Sequence, residues 1–91
     1  MTIERLKELI DKYGIKEYFL PPDIHSIYEV AAGIKKDGNK YKVCREERYE
    51  PFDISYHNSE SEAVEAFIKL YSSGVDGTIN FYKEAMKELN K

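Results

Sequence analysis

The residue types that most often carry out nucleophilic chemistry are scarce in this chain, which contains one cysteine and two histidines. Cys44 beside His25 or His57 would form a thiolate and base pair, because a neighbouring imidazolium lowers the pKa of a catalytic cysteine. The residues around Cys44 match no signature of a cysteine nucleophile, and a small cysteine within a strand is commonly a packing residue. We therefore interpret Cys44 as a packing residue and expect a protein that is not an enzyme.

Side chains with metal-binding atoms are present but poorly spaced for a metal site: they are Asp23, His25, Asp53 and His57. No pair among them has the close, repeated spacing of structural zinc ligands, and no group of carboxylates follows the order of a calcium-binding loop. The five glycines are isolated, so the chain also lacks a glycine-rich phosphate loop. We expect neither a bound metal nor a cofactor.

Charge is more informative, because the signs are unevenly placed along a chain whose net charge is −3. Residues 35–45 contain one acid, Asp37, and five basic residues: Lys35, Lys36, Lys40, Lys42 and Arg45. Residues 46–65 contain one cation, Arg48, and seven acids: Glu46, Glu47, Glu50, Asp53, Glu60, Glu62 and Glu65. This segregation predicts a dipolar surface.

The acidic segment also contains an aromatic residue with no obvious place in a core. Tyr49 lies among Glu46, Glu47, Glu50 and Asp53, and tyrosine is favoured in protein interfaces because it buries a large area at low entropic cost. These five residues are the candidate partner-binding site, and their charge suits a basic protein partner. The alternative is that the segment is only a solvated loop, with Glu46 and Glu47 in a bend.

The basic segment has the composition of a nucleic-acid surface, in which cations follow phosphates and an aromatic residue such as Tyr41 stacks on a base. A net acidic chain, however, lacks the broad basic footprint that usually accompanies such binding. Lysines also keep edge strands from pairing with other chains. The sequence therefore disfavours a nucleic-acid partner.

The elements that position these charges are organised around the dipeptide Asp37-Gly38. Runs suited to extended structure flank it at residues 27–34 and 40–44, and an Asp-Gly pair between such runs predicts a hairpin with a type I′ turn. Residues 52–56 alternate apolar and polar side chains, which predicts a third, half-buried strand. The simplest arrangement is a three-stranded antiparallel meander.

Helices are predicted before and after these strands in the chain, from apolar side chains that recur every three or four residues. The first covers residues 3–13, with Thr2 as its N-terminal cap. The second follows a capping box in which Ser59 and Glu62 satisfy each other's backbone N–H groups. We expect both helices to bury one apolar stripe.

A third helix is predicted over residues 78–89, beginning at Asp76 or Thr78. Between the first helix and the sheet, residues 16–23 are too close to two prolines for a regular element. We interpret them as a loop whose apolar side chains fill an edge of the core: Tyr18, Phe19 and Leu20.

The resulting order, α-β-β-β-α-α, predicts an α+β fold in which the helices pack on one face of the sheet and leave the other partly open. At 91 residues we expect a single domain, residues 1–91. The chain has neither the apolar stretch of a signal peptide nor that of a membrane span, and one cysteine fits a reducing compartment. We therefore expect a cytoplasmic protein with no membrane partner.

Residues 41–67 resemble a known family. The resemblance rests on Tyr41-Lys42-Val43-Cys44-Arg45-Glu46-Glu47-Arg48, then Phe52 and Tyr56, then Ser59-Glu60-Ser61-Glu62-Ala63-Val64-Glu65-Ala66-Phe67. This pattern resembles the small immunity proteins of bacterial polymorphic-toxin and contact-dependent inhibition systems, with an aromatic-x-Val strand, a Glu-Arg-Gly bend and an acidic capping box leading into a Glu-Ala helix. Tyr49 stands where the bend glycine would be.

The resemblance implies a non-catalytic protein that binds a cognate toxin domain, often a basic nuclease, and blocks its active site or its substrate surface. Charge complementarity would then speed association and help to exclude wrong partners. The alternative function is a small regulatory or adaptor domain that binds another protein or RNA through the open face of its sheet.

Overall fold

The computed structural model describes residues 1–23, 26–73 and 77–90, which form an α+β fold. The elements in chain order are α1 (Ile3–Lys12), β1 (Tyr18–Phe19), β2 (Val30–Asp37), β3 (Lys40–Glu47), β4 (Glu50–His57), α2 (Glu60–Lys69) and α3 (Ile79–Leu89). The strands form one sheet with the spatial order β1-β2-β3-β4. In the parts of the chain that the structure describes, no helix is both long enough and apolar enough to cross a membrane.

The predicted antiparallel meander is present as β2, β3 and β4, but a fourth strand makes the sheet mixed. β1 runs parallel to β2, with Phe19 opposite Gly33. Gly33 permits this pairing, because the Phe19 ring occupies the space that a side chain at this position would need. The interpretation of residues 16–23 as a loop is therefore wrong for this pair of strand residues, whereas Phe19 and Leu20 are buried as predicted.

The first hairpin turns one residue later than the sequence predicts. β2 continues through Asp37, which lies opposite Lys40, so the turn residues are Gly38 and Asn39. Gly38 has a φ of 59°, whereas the φ of Asn39 is not positive, a combination that fits a type II′ turn and not the predicted type I′ turn. The opposite charges of Asp37 and Lys40 favour this register, because cross-strand pairs of opposite charge stabilise a sheet. At its other end β2 begins at Val30, later than predicted.

The second hairpin is also longer than predicted, since β3 extends to Glu47 and β4 begins at Glu50. The bend expected at Glu46 and Glu47 is wrong, because both residues belong to β3 and Glu46 is buried. Arg48 and Tyr49 close this hairpin as a two-residue turn. The neighbouring strand supplies the reason: β3 pairs along its whole length with β2, whose first residue lies opposite Glu47.

β4 contains a bulge that the alternating sequence pattern did not predict. The register with β3 shifts between Val43 and Arg45, so that Cys44 lies opposite both Asp53 and Ile54. Asp53 has a φ of 52°, the left-handed backbone that is typical of the first residue of a G1 bulge. The strand bends at this point and its side-chain alternation is interrupted.

Side-chain caps begin α1 and α2 where the sequence predicts them. Thr2 Oγ1 accepts a hydrogen bond from the Arg5 N–H at 3.1 Å. Ser59 Oγ accepts one from the Glu62 N–H at 3.2 Å, which is one half of the predicted capping box. Each cap satisfies a backbone donor that the first turn of a helix leaves without a partner.

Two further observations concern the ends of the helices. Glu60 Oε1 accepts a hydrogen bond from the Ile3 N–H at 2.7 Å, which ties the start of α2 to the start of α1. α3 begins directly after Thr78. The other predicted start of this helix, Asp76, lies outside the described residues.

The helices pack on one face of the sheet, with α2 across β2, β3 and β4, and with α1 and α3 against α2 and each other. The main core lies between these layers: Leu6, Leu9, Ile10, Leu20, Ala32, Ile34, Val43, Ala63, Val64, Phe67, Ile68, Phe81 and Ala85. A separate buried cluster contains Phe19, Ala31 and Cys44. We call the side of Ile34 and Val43 the helix face and the side of Ala31 and Cys44 the outer face, because adjacent residues of a strand point to opposite sides.

Candidate functional site

The five residues of the predicted partner-binding site gather around the second hairpin, but they are not equally accessible. Glu47 and Glu50 lie opposite each other at the ends of β3 and β4, and Tyr49 is in the turn between them. All three are exposed, Tyr49 to 62%. Glu46 is only 7% exposed, whereas Asp53 is exposed but lies in the bulge of β4, away from the turn. The exposed residues at the turn itself are Glu47, Tyr49 and Glu50, which we call the hairpin tip.

The two residues of the turn at the hairpin tip have a backbone conformation that is rare for large side chains. Arg48 and Tyr49 have φ values of 51° and 69°, the left-handed region that a type I′ turn requires and that glycine and asparagine enter most easily. Glu29 holds the turn, because its carbonyl oxygen accepts a hydrogen bond from the Arg48 N–H (2.7 Å) and its Oε1 accepts one from Arg48 Nε (2.6 Å). A residue that precedes β2 thus orders the turn between β3 and β4.

Exposed apolar side chains concentrate beside the hairpin tip and along β4. Among the described residues, the large apolar side chains that are exposed all belong to this region except Ile79: Ile27, Tyr28, Val30, Tyr49, Phe52, Ile54 and Tyr56. Grouped exposure of this kind is typical of binding surfaces, whereas isolated exposed apolar residues are ordinary. Sequence reasoning assigned all but Tyr49 to strands and missed their exposure. The available signal was the place of β4 as the last strand of the meander, which makes it an edge.

β4 is an edge strand whose backbone is partly blocked for pairing with another strand. Glu47 and Glu50 flank a two-residue turn and form a hydrogen-bonded pair, so the next pair, Glu46 and Pro51, is a non-hydrogen-bonded one. The Pro51 nitrogen therefore faces outward, where it offers no N–H, and the bulge at Asp53 bends the strand. A partner would therefore contact the side chains of β4 more readily than its backbone N–H and C=O groups.

The strand register places the lysines of the first turn and the acids of the hairpin tip at opposite ends of the sheet. The lysines of the basic segment lie around the first turn: Lys35, Lys36, Lys40 and Lys42. The acidic hairpin tip lies at the other end of β3, with Glu47 about 23 Å from Lys40 along the strand. The predicted separation of charge is therefore present along β3, whereas Glu60, Glu62 and Glu65 belong to α2, which begins three residues after His57, the residue opposite Tyr41.

Arg45, the last cation of the basic segment, contributes to the fold more than to the surface charge. Its Nη2 donates a hydrogen bond to the carbonyl oxygen of Leu70 after α2, and its Nε lies 4.0 Å from Asp53 Oδ2. Asp53 is therefore accompanied by a cation, at a distance typical of a weak surface pair. On the same side of the sheet, burial raises the pKa of Tyr71 to about 12.

The residues considered for nucleophilic chemistry lie on opposite faces of the sheet. Cys44 is buried on the outer face, and burial, together with the nearby Glu46 carboxylate, raises the pKa of its thiol and so favours the unreactive protonated form. His57 is on the helix face, where its Nε2 lies 2.7 Å from Ser55 Oγ. This contact was not predicted from the sequence, although residues two apart in a strand share a face. His25 lies outside the described residues.

Neither a metal-binding group nor a known relative identifies the function of this site. Among residues 1–23, 26–73 and 77–90, no group of three His, Cys, Asp or Glu side chains is placed to hold a metal ion. No protein-family model, curated protein or solved structure matches the chain. The resemblance to immunity proteins therefore stays a prediction, and function has to be inferred from the geometry of this chain.

Proposed function

We propose that this protein is a non-catalytic immunity protein that binds and neutralises a cognate toxin domain through its hairpin tip and the exposed apolar side chains nearest to it, Val30 and Phe52. The observation that carries this proposal is the concentration of exposed apolar side chains around an acidic turn. Protein interfaces use aromatic side chains inside a polar rim as anchors. The resemblance of residues 41–67 to immunity proteins supports the same function, which the protein would carry out in the bacterial cytoplasm.

The charge of the hairpin tip favours a basic toxin, such as a nuclease with a cationic substrate surface. Glu47 and Glu50 lie directly opposite each other, and like charges in this arrangement destabilise a sheet. A cationic partner would relieve the repulsion, and complementary charge would also speed association and exclude wrong partners. Glu46 is buried and supports the fold, so it lies outside the proposed surface.

Tyr49 is the proposed aromatic anchor. It is exposed at the apex of the hairpin, and the contacts of Arg48 with Glu29 fix the backbone of the turn. A preformed turn lowers the conformational entropy that is lost on binding. Backbone strain that the surrounding structure maintains is also concentrated at binding and active sites.

The test is co-expression of the protein with the product of the adjacent upstream gene, scored by complex formation and by rescue from growth arrest. Glu47→Lys/Glu50→Lys should weaken the complex by at least about tenfold and abolish rescue, because it turns attraction into repulsion. The matched control is Glu4→Lys/Asp11→Lys, which makes the same change of charge at exposed positions of α1 and should retain both properties.

Tyr49→Ala separates the aromatic anchor from the charge and should also weaken the complex by about tenfold or more. Circular dichroism would verify that each variant is folded. If Glu47→Lys/Glu50→Lys bound as tightly as wild type at low and moderate salt, the toxin would have to bind elsewhere. A folded wild-type protein that forms no complex and gives no rescue would overturn the proposed function.

A further inference from the structure

A second charged surface lies at the other end of the sheet, on the outer face. Lys35 lies directly opposite Lys42, and Lys42 lies directly opposite Tyr56. Residues opposite each other in a sheet share a face. Lys42 is two residues from Cys44 on β3, so the row faces away from the helices. We call Lys35, Lys42 and Tyr56 the lysine row.

The lysines of this row have no acidic partner within the described parts of the chain, since none of the ion pairs there includes Lys35 or Lys42. Two cations directly opposite each other destabilise a sheet. On the helix face the situation differs, because Lys36 Nζ lies 4.1 Å from the centroid of the Tyr41 ring and is engaged within the protein. The lysine row is therefore a place where an external anion would stabilise the fold.

Tyr56 adds an aromatic surface to this charge. It is 55% exposed, and Ile54, two residues earlier on the same face, is 45% exposed. Sheets that bind single strands combine cations, which contact phosphates, with aromatic rings, on which bases stack. We propose that the lysine row binds single-stranded nucleic acid, with Lys35 and Lys42 on phosphates and a base stacked on Tyr56.

The acidic net charge of the chain does not prevent this binding, because the fold separates the charges. Glu47 lies about 17 Å from Lys42 along β3, farther than the Debye length of about 8 Å at physiological salt. Glu46 lies about 13 Å from Lys42 along the same strand, and Asp37, which shares the face of Lys35, lies opposite Lys40, so that a cation of the same turn offsets its charge. The whole-chain charge therefore overstates the repulsion that a nucleic acid would meet at the lysine row.

A nucleic acid fits the lysine row better than an acidic protein segment does. Carboxylates would satisfy the lysines but leave the ring of Tyr56 exposed, whereas a nucleotide carries a phosphate and a planar base within a few ångströms of each other. The hairpin tip lies at the opposite end of the sheet and takes no part. Nucleic-acid binding and toxin binding can therefore fail independently of each other.

The test is fluorescence anisotropy of a fluorescein-labelled oligouridine of about 12 nucleotides, titrated with the full chain at several salt concentrations. Two phosphate contacts predict a slope of about −1.4 for log K against log salt concentration. Lys35→Gln/Lys42→Gln and Tyr56→Leu should each weaken binding by about tenfold, whereas Tyr56→Phe keeps the ring and should bind like wild type. The matched control, Lys83→Gln/Lys87→Gln, removes the same charge from exposed positions of α3 and should leave binding unchanged.

Lys35→Arg/Lys42→Arg preserves the charge and should retain binding, and thermal unfolding would show that every variant is folded. Absence of binding by the wild-type chain at low salt, or an equal loss in the α3 control, would overturn the proposal. Equally tight binding of polyglutamate together with an unchanged affinity of Tyr56→Leu would overturn it as well, since the row would then attract any polyanion.

Discussion

The two hairpins of the sheet close with turns of the same length, built from residues of very different suitability. The first turn consists of Gly38 and Asn39, and only the glycine has a positive φ (59°). The second consists of Arg48 and Tyr49, both at positive φ (51° and 69°), where an L-residue costs about 1–2 kcal/mol. The first turn is therefore stable through its own residues, whereas the second needs stabilisation from elsewhere in the fold.

Glu29 supplies part of that stabilisation. Its carbonyl oxygen and its carboxylate both contact Arg48, 19 residues away, so the second turn depends on the segment that precedes β2. A turn that glycine would form more easily is thus built from two large side chains. We expect this difference if the first turn serves folding and the second presents Tyr49 to a partner.

Gly38→Val should produce the largest change and tests how far the first turn depends on glycine. Valine enters the region of positive φ poorly, and no atom beyond the two adjacent residues lies within 4 Å of the place that its Cβ would take, so the loss reflects the backbone and not a clash. We expect the free energy of unfolding to fall by about 2–3 kcal/mol, measured by urea denaturation.

Asn39→Val is the matched control, because Asn39 is exposed in the same turn and its φ is not positive. Its cost should stay below about 1 kcal/mol. Equal losses at the two positions would remove the contrast between the hairpins, since the first turn would then not depend on its glycine.

Arg48→Asn/Tyr49→Gly should change stability and binding in opposite directions. Asn-Gly is a preferred pair for a type I′ turn, so we expect the free energy of unfolding to rise by about 1 kcal/mol, even though the exposed pair of Arg48 with Glu29 is lost. Binding to the toxin should weaken by at least about tenfold, because the Tyr49 ring is absent. Urea denaturation and isothermal titration calorimetry would measure the two effects separately.

Tyr49→Phe is the control for this pair of effects, because it keeps both the ring and the strained backbone and should leave stability and affinity close to wild type. A less stable Arg48→Asn/Tyr49→Gly variant would mean that the second turn is not strained by its own residues. A more stable variant with wild-type affinity would mean that Tyr49 is not an anchor for the toxin. The strained backbone would then not serve to present its ring.

The fold is predictable from the sequence where local signals decide it. The caps at Thr2 and Ser59 are confirmed, and so are the three helices and three long strands that local patterns predict. β1 escaped prediction, because a strand of two residues has no periodicity and depends on the space above Gly33. The first turn lies one residue later than predicted. Its position depends on the pairing of Asp37 with Lys40 across the two strands, which the local Asp-Gly signal does not include.

The sequence predicts which residues belong to the candidate site, but not which of them are exposed or what holds them in place. Glu47, Tyr49 and Glu50 are close in sequence, and the structure brings them together at one turn. The burial of Glu46 was not predictable, since it depends on residues that other elements place around β3. No spacing rule links Glu29 to the turn that it holds, so the contact that most distinguishes the second hairpin is invisible in the sequence.

Glu29→Gln should have the smallest effect, and it tests whether Glu29 stabilises the second turn in particular. Both side chains of its pair with Arg48 are largely exposed, so the loss of charge should lower the free energy of unfolding by about 0.5 kcal/mol. In the Arg48→Asn/Tyr49→Gly background the same substitution should have no effect, because the arginine is absent and the turn no longer needs external support.

Glu65→Gln is the matched control for this comparison, because it removes an exposed pair with Lys69 within α2 (3.4 Å). It should lower the free energy of unfolding by about 0.3–0.5 kcal/mol in both backgrounds, whereas the double-mutant cycle for Glu29 should show coupling. If Glu29→Gln has the same effect in both backgrounds, Glu29 stabilises the fold through a different contact. The second turn would then owe its left-handed backbone to the pairing of β3 with β4 alone.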